Sequence, residues 1–86
     1  MKLLFCKECC SVFSLNFDKK TCDCGKSWGN YKEDGVKAEY GGNVIPLGFA
    51  NGSFKHALNN QPDEGNGYEF RAFVVPKVCG TFKKIE

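Results

Sequence analysis

The residues best suited to chemistry are cysteines, and most of them fall in the first third of the chain. The sequence contains six cysteines, which include two close groups within residues 6–10 and 22–24. Zinc binds four thiolates in a tetrahedron at about 2.3 Å, and two tight turns that each present two sulfurs supply such a set. Gly25 follows the second group, and glycine readily adopts the positive φ that a metal-binding turn often needs. The spacing predicts one structural zinc ion per chain, with four ligands: Cys6, Cys9, Cys22 and Cys24.

Two other arrangements of these cysteines compete with a metal site. A disulfide framework requires an oxidising compartment, and only three apolar residues stand between Lys2 and Cys6, too few for the core of a signal peptide. Unligated core thiols would require chance alone to gather four cysteines in two close pairs. We therefore expect thiolate ligands in a reducing, cytoplasmic location.

The spacing C-x2-C followed by C-x-C-G resembles the zinc-ribbon families, in which two metal-binding turns lie on adjacent β-hairpins. The resemblance covers about residues 3–32, a third of the chain, and small ribbon proteins of bacteria and phages are similar in size. The sequence departs from the common pattern twice. The second pair has one intervening residue where ribbons more often have two, which would permit an unusual metal geometry. Cys10 stands where the first turn usually carries glycine, and it places a fifth thiol beside the site.

The remaining reactive residues do not form an evident catalytic set. Cys10 could replace Cys9 as a ligand or support the ligands, but a near-surface thiol that binds no metal is the simpler interpretation. His56 is the single histidine, and a nucleophilic pair with Cys79 or Cys10 would need a third orienting group that the sequence does not show. A solvated or hydrogen-bonded surface histidine and a small buried apolar Cys79 are expected instead. We predict that the protein is not an enzyme and has no catalytic residues.

Length and composition limit the fold to one small domain. The chain has 86 residues with a formal net charge of +2, and it contains no apolar run long enough to span a membrane. A chain of this size often needs a metal to support its core. We expect a single domain over residues 1–86, with a zinc-ribbon part at 1–34 and a strand–helix–strand part at 35–86. The predicted fold class is β-rich α+β, in which the ribbon continues into a small antiparallel or mixed sheet with one short helix.

Hydrophobic alternation and turn residues predict the elements of the first half. Residues 2–5 and 12–17 are expected to be strands beside the first metal turn, with Phe13, Leu15 and Phe17 on one face. Residues 28–32 and 36–40 are expected to pair as a hairpin, because Asp34-Gly35 between them is a strong hairpin signal.

The second half changes in character, because Lys55 is the only fully charged residue between Tyr40 and Pro62, while asparagines and glycines crowd the same stretch. Residues 44–47 are predicted to be an edge strand, since Pro46 cannot donate to a ladder. Ser53 is the expected N-cap of a helix over residues 54–60, which buries Phe54, Ala57 and Leu58. After a loop with the solvated carboxylates of residues 63–64, residues 68–75 form the longest predicted strand. Its two largely apolar faces indicate a central strand covered on both sides, or an interface.

The Asn- and Gly-rich stretch favours recognition of a small polar or nucleotide-like molecule. Amide side chains offer both a donor and an acceptor to a base edge, glycine permits close backbone approach, and Arg71 could pair with a phosphate. The same residues could equally be ordinary turn residues. The predicted ligand-binding residues are Asn43, Phe49, Asn51, Ser53, Asn60, Gln61, Tyr68 and Arg71.

We therefore expect a non-enzymatic binding protein that recognises a small polar or nucleotide-like ligand, or a protein surface. A sequestering role of the kind that small phage proteins have is one form of this hypothesis. Self-association is plausible, because a small chain forms a deep pocket most easily between subunits. The alternative is a nucleic-acid- or protein-binding adaptor, since lysines alternate with aromatic residues in the first half. One arginine and a net charge of +2 are a thin electrostatic basis for that alternative.

Overall fold

The computed structural model describes residues 1–85, which form eight strands and one helix. The strands make up two four-stranded sheets, and the helix lies between the sixth and seventh strands in sequence. The prediction of a β-rich fold with one short helix is confirmed. The elements are β1 Lys2–Cys6, β2 Val12–Ser14, β3 Lys20–Thr21, β4 Trp28–Tyr31, β5 Ala38–Gly41, β6 Val44–Phe49, α1 Asn51–Leu58, β7 Ala72–Val74 and β8 Phe82–Lys84.

Each sheet combines strands from the beginning and the end of the chain. The first sheet has the order β2-β1-β6-β7 and is antiparallel throughout. The second sheet has the order β3-β4-β5-β8, and its last pair, β5 with β8, is parallel. Each sheet therefore contains strands from both sides of residue 35: β1 and β2 join β6 and β7, and β3 and β4 join β5 and β8.

The two sheets pack together over a small core. Leu4 in the first sheet is completely buried, and it lies against Gly29 in the second sheet. A Cβ atom at Gly29 would lie 2.6 Å from Cδ1 of Leu4 and 2.9 Å from Cδ2 of Leu15. The absence of a side chain at residue 29 is therefore what allows the sheets to approach here. The buried core cluster consists of Leu4, Cys6, Phe13, Leu15, Cys22, Ala38, Tyr40, Val44 and Phe82.

The hairpin of β4 and β5 confirms the Asp-Gly signal, although its strands are shorter than predicted. Gly35 has a φ of +70°, and the carboxylate of Asp34 accepts hydrogen bonds from the N–H groups of Val36 and Lys37. These contacts hold residues 36–37 in the turn, so β5 begins at Ala38. The predicted strand 12–17 is also shorter, because β2 ends at Ser14; Phe17, expected on the inner face, is exposed.

The prediction that residues 44–47 form an edge strand is wrong. β6 lies between β1 and β7 and is the longest strand of the first sheet. The carbonyl of Pro46 accepts a hydrogen bond from the N–H of Val75, so its nitrogen also faces the β7 side of the strand. Because this nitrogen points away from β1, the missing N–H of Pro46 removes no hydrogen bond to β1. On the other side, β7 ends at Val74 and does not extend past Pro46.

The helix begins earlier than predicted, and Ser53 is not its N-cap. The N-cap is Ala50, without a side-chain hydrogen bond, and Ser53 lies inside the first turn. Its hydroxyl donates to the carbonyl of Ala50 and accepts from the N–H of Arg71. Ala57 is buried as expected, but Leu58 is 60% exposed, so the predicted buried face was too wide.

The predicted central strand over residues 68–75 is also wrong. Only Ala72–Val74 is a strand, and it lies at the edge of the first sheet. Phe73 is 51% exposed and Val74 is 66% exposed, so neither face is covered. The preceding residues turn away to pack on the helix, where the ring of Phe70 contacts those of Phe49 and Phe54 at centroid distances of 5.0 and 4.8 Å.

Candidate metal centre and binding clefts

The first cysteine pair lies in the turn that joins β1 to β2. The N–H of Cys6 donates to the carbonyl of Ser11 at 2.9 Å, and the N–H of Cys10 donates to the carbonyl of Cys6 at 2.8 Å. Cys10 has a φ of +61°, the left-handed conformation that glycine usually supplies. The turn thus directs the side chains of Cys6 and Cys9 toward one point while Cys10 remains exposed.

The second cysteine pair lies in the turn that joins β3 to β4. The N–H of Cys22 donates to the carbonyl of Ser27, and the N–H of Gly25 donates to the carbonyl of Cys22, both at 3.1 Å. Gly25 has a φ of +75°, as the sequence predicts. Both cysteine pairs are therefore held in turns of antiparallel hairpins that belong to different sheets.

The four predicted ligands come together. The Sγ atoms of Cys6, Cys9, Cys22 and Cys24 all lie within 4.8 Å of one another. Two of the separations are 3.8 Å, from Cys6 to Cys24, and 3.3 Å, from Cys22 to Cys24. Metal–sulfur bonds of about 2.3 Å in a tetrahedron place sulfurs about 3.8 Å apart, so the cluster has the dimensions of a tetrathiolate site.

The pKa values of these thiols show that they compete for protons. Burial raises the pKa of the Cys22 thiol, but hydrogen bonds from Cys24 Sγ and the Ser27 backbone outweigh it and lower that pKa to about 6. The backbone N–H of Lys26 acts to lower the pKa of Cys24, yet the neighbouring Cys22 sulfur and burial raise it to about 12. Hydrogen bonds from Ser11 lower the pKa of Cys9 to about 7. A divalent cation at the centre would allow all four thiolates to coexist.

Two serines that the sequence analysis missed support the sulfurs. Ser27 is 0% exposed, and its hydroxyl donates to Cys6 Sγ at 3.4 Å. The hydroxyl of Ser11 lies 3.2 Å from Cys9 Sγ. Their positions, two residues after Cys9 and three after Cys24, are the only signal in the sequence, and it is too general to single them out.

The link between the two sheets packs directly on the second metal turn. Residues 42–43 connect β5 to β6, and Gly42 has a φ of +98°. A Cβ atom at Gly42 would lie 2.7 Å from the carbonyl oxygen of Lys26 and 2.8 Å from Oγ of Ser27. The N–H of Lys7 donates to the carbonyl of Asn43 at 2.9 Å, so the same link also holds the first metal turn.

An open cleft beside α1 contains part of the predicted ligand-binding set. This α1 cleft has a volume of about 500 Å³ and lies between the helix and the loop that follows it. Of the predicted ligand-binding residues, Gln61 and Tyr68 line it. The full lining is Phe54, Ala57, Leu58, Gln61, Pro62, Asp63, Glu64, Gly65, Asn66, Gly67, Tyr68 and Phe70.

Several other predicted ligand-binding residues make local structural contacts around the helix. The amide of Asn60 donates to the carbonyl of His56 at 2.7 Å, and Oδ1 of Asn51 accepts from the terminal ammonium of Met1 at 2.9 Å. The hydroxyl of Ser53 joins the helix to the N–H of Arg71, as described above. Phe49 packs in the aromatic cluster next to the α1 cleft.

Asn43 lies apart from the rest of the predicted set. It precedes β6, whereas Phe49 ends that strand, so the two residues stand at opposite ends of it. Asn43 lines a separate groove between the two sheets. The structure therefore divides the predicted ligand-binding residues between two places.

The remaining reactive residues are engaged in local contacts. Nε2 of His56 lies 2.9 Å from the hydroxyl of Tyr68 at the protein surface. Cys79 is half-buried against the core, and its Sγ lies 3.5 Å from Oγ1 of Thr81; hydrogen bonding to Thr81 lowers the pKa of this thiol. Within residues 1–85, the four-cysteine cluster is the one group close enough together to hold a metal ion.

No known protein family, curated protein or solved structure matches this chain. Across residues 1–85, no helix combines the length and apolar character needed to cross a membrane. The site geometry is accordingly the basis for assigning a function.

Proposed function

We propose that the protein is a zinc-dependent, non-enzymatic binding protein in which one Zn²⁺ per chain has a structural role. The single observation that carries this proposal is the convergence of four thiol sulfurs within 4.8 Å. Four cysteine ligands close the coordination sphere, which is typical of structural rather than catalytic zinc. Iron also accepts a tetrahedral set of thiolates, so the metal itself must be measured.

The position of the site explains how a metal would stabilise the fold. Cys6 and Cys9 belong to the β1–β2 hairpin of the first sheet, whereas Cys22 and Cys24 belong to the β3–β4 hairpin of the second. A bound ion therefore links the two sheets at one end of a small core. Because the ligands are brought together only in the folded chain, metal binding contributes directly to folding free energy.

The metal assignment is tested by elemental analysis and by Co²⁺ substitution of the reduced protein. We expect one zinc per chain, and Co²⁺ should give the absorption of a tetrahedral thiolate complex. Cys22→Ser should lose stoichiometric metal and melt at a lower temperature, whereas Cys79→Ser, the matched control outside the cluster, should keep both properties. A reduced wild-type protein without metal, or full zinc binding by Cys22→Ser, would contradict the proposal.

The ligand-binding part of the proposal rests on the chemistry of the α1 cleft. Phe54, Phe70 and Tyr68 give it aromatic walls, and Gln61 offers an amide donor and acceptor. A volume of about 500 Å³ is within the range of small-molecule sites. Asp63 and Glu64 are the charged residues of the lining, which favours an uncharged or cationic ring over a phosphate. We therefore propose a small polar heteroaromatic ligand, such as a free nucleobase or nucleoside.

A sequestering role suits these features better than catalysis does. Nε2 of His56 is engaged with Tyr68, so the lone histidine is held at the rim of the cleft rather than beside a thiol. The thiolate cluster is suited to a reducing compartment such as the cytoplasm. In its most specific form, the proposal is that the protein sequesters its ligand as small phage proteins do, and identifying the ligand tests that role.

Ligand binding is tested by native mass spectrometry of the zinc-loaded protein with a panel of nucleobases and nucleosides. We expect one bound molecule per cleft, which Phe70→Ala should weaken by removing an aromatic wall. Phe73→Ala replaces an exposed aromatic residue outside the cleft and should bind as the wild type does. Equal binding by wild type and Phe70→Ala would place the ligand elsewhere and exclude the α1 cleft.

A further inference from the structure

A second concave site lies between the two sheets, at the end near the metal turns. This inter-sheet groove has a volume of about 550 Å³. One wall comes from the start of β6 and the end of β7, and the other comes from β5 and β8. Its lining residues are Lys7, Tyr40, Asn43, Val44, Ile45, Pro46, Val74, Val75, Lys77 and Lys84.

The charge of the inter-sheet groove has one sign. Lys7, Lys77 and Lys84 line it, and among residues 1–85 no aspartate or glutamate belongs to its lining. The whole chain carries a formal net charge of only +2, so three lysines in one groove are a local concentration of positive charge. Clefts lined by one sign of charge raise the local concentration of ligands of the opposite sign.

The floor of the groove is apolar and structurally fixed. Val44 and Pro46 are buried parts of β6, the strand held between β1 and β7. Tyr40 is buried as well, and its ring packs edge-on against Phe82 at a centroid distance of 5.2 Å. Above this floor, the apolar side chains of Ile45, Val74 and Val75 are accessible to a ring, and the exposed amide of Asn43 offers both a donor and an acceptor.

The metal turn helps to form the groove. Lys7 lies between the ligands Cys6 and Cys9, and its N–H donates to the carbonyl of Asn43 at 2.9 Å. Lys84 is placed opposite Tyr40 by the parallel pairing of β8 with β5. Two of the three lysines are therefore positioned by backbone contacts rather than by flexible loops.

We propose that the inter-sheet groove binds a nucleoside phosphate, with the lysines on the phosphate and the base against the apolar floor and Asn43. Lysine binds phosphate as a point charge, and an apolar site with a few polar groups suits the base. The α1 cleft has the opposite charge, because its charged lining residues are acidic. The two sites therefore select different ligands, and the phosphate directs a nucleotide to the groove. The phosphate could belong to a free nucleotide or to a single-stranded nucleic acid.

The test is calorimetric titration of the zinc-loaded protein with AMP, adenosine, inorganic phosphate and a short oligothymidylate. AMP should bind the groove about tenfold more tightly than adenosine does, because adenosine lacks the phosphate and therefore its hydrogen bonds to the charged lysines. The double variant Lys77→Ala/Lys84→Ala should weaken AMP binding by about tenfold or more. Lys55→Ala, which removes a lysine of α1 outside the groove lining, should leave it unchanged.

The probes distinguish the sources of the phosphate and the ways in which the proposal fails. If the oligothymidylate binds more tightly than AMP, with an affinity that falls steeply with salt, the natural ligand is a nucleic-acid strand. If AMP binds and the oligothymidylate does not, the natural ligand is a free nucleotide. Equal weakening of AMP and adenosine binding by the double lysine variant, or AMP binding unchanged in it, would overturn the proposal. None of these results depends on the Cys22 or Phe70 variants that test the metal and the α1 cleft.

Discussion

Cys10 and Gly25 occupy equivalent positions in the two metal-binding turns. Each follows the second cysteine of its pair, and each donates its N–H to the carbonyl of the first cysteine, at 2.8 Å for Cys10 and 3.1 Å for Gly25. Each also has a positive φ, +61° and +75° respectively. The first turn therefore needs a positive φ at the same point as the second, but without the residue that adopts it most easily.

Replacing Cys10 with glycine should stabilise the zinc-loaded protein. A left-handed conformation costs a non-glycine residue about 1–2 kcal/mol, and the greater freedom of glycine in the unfolded chain returns about 0.5–1 kcal/mol of that. The expected net gain in the free energy of unfolding is up to about 1.5 kcal/mol, measured by chemical denaturation. Cys10→Ala keeps the Cβ and should show no such gain. Loss of zinc in both variants would instead identify Cys10 as a ligand.

Replacing Gly42 with alanine should strongly destabilise the protein and loosen the metal site. The new Cβ would combine a positive φ, at about 1–2 kcal/mol, with close contacts to Lys26 and Ser27, at about 1–3 kcal/mol. We expect a total loss of about 2–5 kcal/mol and weaker zinc binding, measured by denaturation and by chelator competition. Gly52→Ala is the control, because it lies in α1 with nothing within 4 Å of its would-be Cβ. That variant should gain up to about 1 kcal/mol, and equal effects at both glycines would refute the steric argument.

Removing the hydroxyl of Ser27 should weaken metal binding more than it changes the fold. The hydroxyl is buried and donates to Cys6 Sγ, so it stabilises the thiolate that the metal requires. Loss of a contact that supports a ligand typically lowers metal affinity about 10- to 100-fold. Chelator competition should show this for Ser27→Ala, while Ser14→Ala in β2 should retain wild-type affinity. An unchanged affinity for Ser27→Ala would show that the hydroxyl only fills space.

Asp34 should give the β4–β5 hairpin a pH-dependent contribution to stability. Hydrogen bonds from the backbone N–H groups of Lys37 and Val36 lower the pKa of its carboxyl below the ordinary 3.8. A lowered pKa means that the stabilisation is fully present above the ordinary pKa and is lost as the pH falls through the folded-state value. Asp34→Asn keeps an acceptor oxygen but not the charge, so the wild type should melt higher at neutral pH.

That difference in melting temperature should begin to narrow as the pH falls toward 3.8, and it is compared only at pH values where both proteins keep their metal. A carboxyl titration of the wild type by NMR gives an independent value for Asp34. A measured pKa at or above 3.8 would contradict the hydrogen bonding seen in the turn.

Features encoded over a few residues were predictable from the sequence. The cysteine spacing identified the four sulfurs that converge, and Asp34-Gly35 located the hairpin between β4 and β5. In each case the determining residues lie within one turn, where glycine, aspartate or a metal ligand restricts the backbone directly.

The position of a strand within its sheet was not predictable in this way. Proline at residue 46 suggested an edge strand. The interior strand β6 tolerates it because the Pro46 nitrogen points to the side of β7, and β7 ends at Val74, before it reaches Pro46. Residues 68–75 alternate like a long strand, yet packing of Phe70 on the helix limits the ladder to Ala72–Val74. Both outcomes depend on contacts between distant parts of the chain, which local periodicity does not record.

The lysines of the inter-sheet groove illustrate the same limit at the level of a site. Lys7 is far from Lys77 and Lys84 in the sequence, and each of the three alone is an ordinary surface residue. The pairing of β5 with β8 and the contact of Lys7 with Asn43 bring them to one groove. Sequence distance therefore concealed a charge cluster that the topology creates.

The order of the strands also bears on how the chain folds as it is synthesised. All four cysteine ligands are present once residue 24 has left the ribosome, whereas β7 and β8 are the last strands to emerge. Those two strands occupy outer positions, one in each sheet. A nascent chain can therefore add its final strands at exposed edges, after all four metal ligands have emerged, without threading any segment through structure already formed.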